Sequence, residues 1–205
     1  MTDQPEDADN ARHHEKMAKK KAARDKIMAG KTIEKGLLIV HTGKGKGKST
    51  AAFGMVFRCI GHGMKSGVIQ FVKGAWGTGE RTVLEKFPEL VTIKAMGEGF
   101  TWETQDRERD IAHARAAWEE AMRMIADPAY RMVLLDELNI VLRYDYLPLD
   151  EGLDALSAKP ADLHVGVTGR NAKPALVEAA DLVTEMGAVK HHFSAGIKAQ
   201  KGIEF

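Results

Sequence analysis

Hydrophobic and polar positions follow two different rhythms along this chain, and the change falls near residue 36. From there on, short and nearly unbroken apolar runs recur at 37–41, 68–72, 91–95, 132–135, 165–168 and 182–184. Runs this short and this apolar fit strands buried on both faces, not half-solvated ones. Segments with helical spacing lie between them. The clearest is 105–126, where Ile111, Ala114, Trp118, Met122 and Ile125 recur at intervals of three and four. It is expected to stop at Asp127-Pro128, because proline restricts the residue before it. Another helix is expected to be capped by Asn171, with Pro174 in its first turn. Strands alternating with helices predict an α/β domain over 36–205, a mainly parallel β-sheet covered by helices on both faces. No internal repeat is present.

Residues 1–35 keep neither rhythm. Residues 1–10 are acidic and polar and are expected to be disordered. The following stretch is basic, with Arg12, Lys16, Lys19, Lys20, Lys21, Arg24, Lys26, Lys31 and Lys35. Its composition favours helix, but Met17, Ala22 and Ile27 make a poor apolar stripe. Two readings stand: a flexible, solvated arm, or a basic helix that folds over an anionic ligand.

Composition narrows the function classes. A chain of 205 residues can bury one real core. Its net charge of +1 gives no global case for nucleic-acid binding. The one cysteine, Cys59, excludes an internal disulfide framework and points to a cytoplasmic protein. Cys59 falls on the apolar face of a helix and is expected to be a small core residue. No run is long and apolar enough to cross a membrane, and the polar N-terminus is no secretory signal.

Chemistry concentrates where the first apolar run ends. Leu38-Ile39-Val40-His41 leads into Thr42-Gly43-Lys44-Gly45-Lys46-Gly47-Lys48-Ser49-Thr50, and a helix-compatible segment follows. Strand, glycine loop and helix in that order cradle a polyphosphate. Backbone N–H groups turn inward, and the helix N-terminus adds partial positive charge. Lys48 can reach a phosphate oxygen and the Ser49 hydroxyl can ligate Mg²⁺. The usual P-loop pattern has glycine at the position held by Thr42; here the first glycine, Gly43, comes one residue late. The loop is therefore tighter, with two additional lysines, Lys44 and Lys46.

A second candidate is Met132-Val133-Leu134-Leu135-Asp136-Glu137, a buried strand ending in two carboxylates. Strand ends at one edge of a parallel sheet gather binding residues, which would place Asp136 and Glu137 near the glycine loop. Either could hold Mg²⁺ directly or through water. If water attacked a phosphorus, Glu137 could serve as base; if the nucleophile carries no proton, it is free to be a ligand. Phe100 and Trp102, in a glycine-flanked loop, suit core packing or a ligand-facing wall equally. The histidines show no zinc-ligand spacing.

These residues resemble the ATP:corrinoid adenosyltransferases of the bacterial cobalamin pathway. The shortened glycine loop carries the likeness, with Gly99-Phe100-Thr101-Trp102-Glu103-Thr104-Gln105, Leu135-Asp136-Glu137-Leu138, Tyr144-Asp145-Tyr146-Leu147-Pro148-Leu149 and Thr168-Gly169-Arg170. So do Val189-Lys190-His191, Ala195-Gly196-Ile197-Lys198-Ala199-Gln200 and Gly202-Ile203-Glu204. The resemblance implies a P-loop NTPase-like (RecA-like) fold and transfer of the 5′-deoxyadenosyl group of ATP to Co(I) of a corrinoid, releasing triphosphate. It implies a nucleotide held opposite to that of ordinary P-loop hydrolases, and no general base, because Co(I) is itself the nucleophile. By motif, Gly43, Lys44, Gly45, Lys46, Gly47, Lys48, Ser49 and Thr50 bind ATP, and Ser49 with Glu137 and Asp136 serve Mg²⁺. Phe100 and Trp102 resemble an aromatic pair that shields the lower face of cobalt. A reduced flavoprotein as electron donor, a homodimer and an N-terminal helix able to cap the corrinoid are further implications.

Overall fold

The computed structural model describes residues 4–72, 78–97 and 106–204, with side chains from Asp9 onward. The chain divides into two units, Met1–Glu34 and Lys35–Phe205. The first holds α1 (Gln4–Ala29). In the second, strands β1 (Leu38–Thr42), β2 (Ser66–Gln70), β3 (Val91–Ala95), β4 (Met132–Asp136), β5 (His164–Thr168) and β6 (Leu182–Glu185) correspond to the six apolar runs. Helices α2 (Lys48–Gly61), α3 (Gly79–Leu84), α4 (Arg107–Ala126), α5 (Leu138–Arg143), α6 (Leu149–Ser157) and α7 (Pro174–Ala179) lie between them. Among the described residues all the strand pairings are parallel, in the order β3-β2-β4-β5-β1-β6.

The near-continuous apolarity of β1, β2 and β4 has its cause here: every residue of each is buried, because helices cover both faces. Leu38, Val40, Val133, Leu135, Val165 and Val167 pack with Trp118 of α4, Leu138 and Leu142 of α5, Leu156 of α6 and Leu176 of α7. Alternate residues Val68, Met132 and Leu134 pack on the other face with Ala52, Phe53 and Val56 of α2 and Leu84 of α3. Each such side chain withdrawn from water stabilises the fold by about 1.5–3 kcal/mol before entropy is counted. Cys59 packs half-buried against the α2 cluster, and burial raises its thiol pKa, consistent with a core role.

Two expectations need correction. The chain is helical from Gln4, so residues 4–10 are not the disordered segment that their composition suggests. Acidic residues precede basic ones along α1, the arrangement its macrodipole favours. Lys19–Glu15 and Lys21–Asp25 pairs, each 2.7 Å, add support one turn apart. Asn171 is not the cap of α7 either. It adopts a left-handed turn conformation at φ 56, which Asn tolerates. Lys173 takes the N-cap position without a side-chain hydrogen bond, and Pro174 opens the helix as expected. The start of α4 is set by a residue the periodicity missed: Asp106 Oδ1 accepts the Arg109 N–H at 3.1 Å.

Candidate functional site

In a parallel sheet every strand's carboxyl end lies at one edge. Five of those ends meet here: the glycine loop after β1, Gln70 closing β2, Asp136-Glu137 after β4, Thr168-Gly169-Arg170 after β5, and Glu185-Met186-Gly187 after β6.

Glycine is required in the loop because the chain leaving β6 lies against it. Gly45 N–H donates to Met186 O at 2.7 Å, and Met186 N–H donates to Thr42 O at 2.9 Å. A Cβ on Gly43 would come 2.5 Å from Met186 O, and Gly43 also sits at φ 96. One on Gly45 would come 2.5 Å from Gly187 O. No other residue type fits either place. Thr42, where the common pattern has glycine, uses its side chain: Thr42 Oγ1 accepts the Ala172 N–H at 3.0 Å and ties the loop to the turn after β5.

Lys48, the first residue of α2, is 7 % exposed and donates from Nζ to Gly45 O at 2.6 Å. Burial lowers its pKa; Glu137 works the other way, and Arg170 and Lys46 reinforce the lowering. Ser49 follows in the first helical turn and is partly exposed, while Lys44, Lys46 and Thr50 are exposed. Beside the loop, a cavity of about 470 Å³ is lined by Thr42, Gly43, Lys44, Asn171, Glu185 and Gly187, among others.

The opposite wall is a row of polar side chains on one register line. Gln70 pairs with Asp136 across β2–β4, and His41 pairs with Thr168 across β1–β5. The Leu135–Val167 pairing sets Asp136 beside Thr168. Side chains at one level of adjacent parallel strands share a face, so Gln70, Asp136, Thr168 and His41 line up under the loop. Thr168 Oγ1 donates to Asp136 Oδ1 at 2.7 Å, and Gln70 Nε2 donates to Asp136 Oδ2 at 3.1 Å. Thr168 Oγ1 also accepts the Glu137 N–H at 2.9 Å. That bond helps hold Glu137 at φ 66, a left-handed conformation costing about 1–3 kcal/mol for a residue with a side chain. Asn139 Nδ2 donates to Gly169 O at 2.9 Å and fixes the β5 exit.

The arrangement thus brings the glycine loop, Lys48, Asp136 and Glu137 together as the sequence suggests. Phe100 and Trp102 lie outside the described residues. The sequence marks neither Gln70 nor Thr168 as a site residue: Gln70 has no motif signal, and Thr168 stands only within the Thr168-Gly169-Arg170 likeness. Their shared register with Asp136 is the signal that finds them.

A parallel sheet with a glycine loop between its first strand and helix, facing a strand-end carboxylate, defines a P-loop nucleotide-binding protein. The comparisons narrow this class. The family model described as ATP:corrinoid adenosyltransferase BtuR/CobO/CobP matches residues 34–205, and one described as Cob(I)alamin adenosyltransferase N terminal matches 1–28. A corrinoid adenosyltransferase of Sinorhizobium sp is 61 % identical over 98 % of this chain and 95 % of its own length. One of Pseudomonas aeruginosa is 58 % identical over the whole of both. Corrinoid adenosyltransferase CobA of Salmonella typhimurium is 48 % identical over 95 % of this chain and 98 % of its own. The chain belongs to the ATP:corrinoid adenosyltransferase family, and is a transferase that moves the adenosyl group of ATP to a corrinoid in cobalamin biosynthesis or salvage. Among the described residues, no helix is long and apolar enough to cross a membrane.

Proposed function

We propose that the glycine loop holds ATP by its triphosphate as a leaving group, with the ribose 5′-carbon turned toward Co(I) of the corrinoid. The observation that carries this reading is the loop's charge. Three lysines occupy alternate positions, and the buried one already has its ammonium on a loop carbonyl. Transfer of a terminal phosphoryl group calls for charge neutralisation at one phosphorus. Departure of the whole triphosphate calls for it along three, and lysines at 44, 46 and 48 supply that.

The residues fit Mg²⁺ as the metal. Ser49 and Glu137 offer hard oxygen donors, and few protein ligands are the norm for this ion. Gly169 keeps the place open, since a Cβ there would stand 3.0 Å from Glu137 Oε2. Asp136 accepts from Thr168 and Gln70, supports Glu137 from behind, and can serve the ion directly or through water. When bound, the ion neutralises charge on the departing triphosphate. No general base is assigned, because the attacking cobalt carries no proton.

Phe100 and Trp102 form the wall against the lower face of cobalt in this reading. By excluding an axial ligand they bring the Co(II)/Co(I) potential within reach of a reduced flavoprotein. We also take the enzyme to act in the cytoplasm as a homodimer. Incubation with ATP, Mg²⁺ and a chemically reduced corrinoid is expected to yield intact triphosphate and a light-sensitive cobalt–carbon bond in equal amounts. Release of ADP and phosphate alone would replace this reading with an ATPase or kinase.

A further inference from the structure

The C-terminal segment returns to the glycine loop. Lys46 Nζ is ion-paired with Glu204 Oε2, across 158 residues of chain. The other carboxylate oxygen, Oε1, lies 2.9 Å from His192 Nε2. His192 opens a short 3₁₀ turn, His192–Ala195, and stacks on His191 at 4.9 Å between ring centroids. Glu204 N–H donates to Gln200 O at 3.0 Å, so backbone and side chain are both held. The Glu204 side chain is 16 % exposed, and the Lys46 bond, opposed by burial, keeps its carboxyl below the usual range. A fixed anion therefore stands on one of the lysines assigned to the triphosphate.

We propose that Glu204 is an internal competitor for the triphosphate: it holds Lys46 when no nucleotide is bound, yields it to ATP, and reclaims it as inorganic triphosphate leaves. This rests on the reading that the loop grips the triphosphate. A carboxylate and a phosphate oxygen crowding one ammonium repel each other. Both cannot have Lys46 without a loss of affinity. That loss has a use, since substrate and product share the triphosphate. A loop that gripped it equally in both would bind ATP tightly and release product slowly, with no gain at the transition state. An anion tethered beside the loop loosens both ground states. The tether also makes the competitor's effective concentration high and independent of solution conditions.

Titration calorimetry with inorganic tripolyphosphate, on the full chain, tests this. Glu204→Gln is expected to tighten binding roughly tenfold, as for removal of one apposed like charge, and to lower the KM for ATP. Lys46→Ala is expected to weaken binding, and adding Glu204→Gln to it is expected to give a smaller gain than Glu204→Gln gives alone, because the ammonium for which the two anions compete is gone. Ser194→Ala, on the same turn but outside the ion pair, controls for general disturbance of the tail and should bind as the unaltered protein does. Weaker or unchanged binding in Glu204→Gln, with Lys46→Ala still weakening it, overturns the competitor role alone and leaves the loop reading standing. So does an equal gain in the Lys46→Ala background. Failure of the unaltered protein and all variants to bind tripolyphosphate overturns both.

Discussion

The two walls of the nucleotide site are built on different physical principles. The glycine loop is a backbone device: its shape follows from residues without side chains pressed against the Met186-Gly187 segment, and its charge comes from lysines between them. The facing wall is a side-chain device, in which Gln70, Asp136 and Thr168 satisfy one another while Thr168 helps hold Glu137 in a strained backbone conformation. A backbone device fails when bulk is added. A relay fails when a partner is removed, because each buried polar group left behind keeps its full desolvation cost.

The largest effect is expected at the charge that the loop buries. Lys48→Ala removes a charge-assisted donor from a water-poor site, and should lower kcat by about 10²–10³. Steady-state assay with pre-reduced corrinoid checks it, and retention of more than a tenth of the activity would move the principal phosphate contact to Lys44 or Lys46. Gly45→Ala tests the backbone device itself. The added methyl meets the Gly187 carbonyl at 2.5 Å, so loop or β6 exit must shift, at about 1–3 kcal/mol. ATP affinity measured by calorimetry should fall while the chemical denaturation midpoint drops modestly. Normal affinity would mean that the loop reshapes freely and that its close packing is incidental.

The relay is best broken at Thr168. Thr168→Val keeps the volume but leaves Asp136 Oδ1 and the Glu137 N–H without this partner. The expected cost is about 1–3 kcal/mol in urea denaturation, with a raised Mg²⁺ requirement as Glu137 loses its fixed orientation. Thr168→Ser preserves the hydroxyl and should restore the Mg²⁺ requirement, if not all of the stability. Should both variants lose stability equally while Mg²⁺ dependence stays put, the relay would be packing and nothing more.

The same contrast explains what could be read in the chain. The glycine loop was legible because it is local: strand, glycines and helix are contiguous, and each glycine marks a constraint felt at that residue. The six strands were legible because burial on both faces leaves an apolar run whatever the neighbouring strands are. The relay is a product of register. Nothing near Gln70 tells that β2 lies beside β4 with Gln70 level with Asp136; only the sheet order does. Glu204 on Lys46 is the extreme case, a contact between the C-terminal segment and the glycine loop that no periodicity encodes. Asn171 shows the opposite error: it is a good cap by residue type, yet the turn before α7 used it for a left-handed bend.

The smallest effect is expected from the member of the row that the relay does not reach. His41 is 6 % exposed, level with Thr168, and among the described residues neither ring nitrogen has a hydrogen-bond partner. Burial lowers its pKa from the ordinary 6.5, so the folded protein keeps the ring neutral at pH values where the unfolded chain takes up a proton. The sign follows: stability is intact above pH 6.5 and is lost as pH falls below it, by at most about 1.4 kcal/mol per pH unit for one such group. His164 shifts in the same direction, by burial first and then by Lys159 and Arg131, so the unaltered protein carries two of these contributions. His41→Leu removes one while filling the same buried space. Urea midpoints at pH 8 and pH 5.5 should therefore converge in the variant relative to the unaltered protein, with little change in ATP affinity at pH 8. An undiminished pH dependence would place the loss in His164 or the carboxylates instead. A fall in ATP affinity at pH 8 would mean that His41, and not Thr168, is where the side-chain wall meets the backbone one.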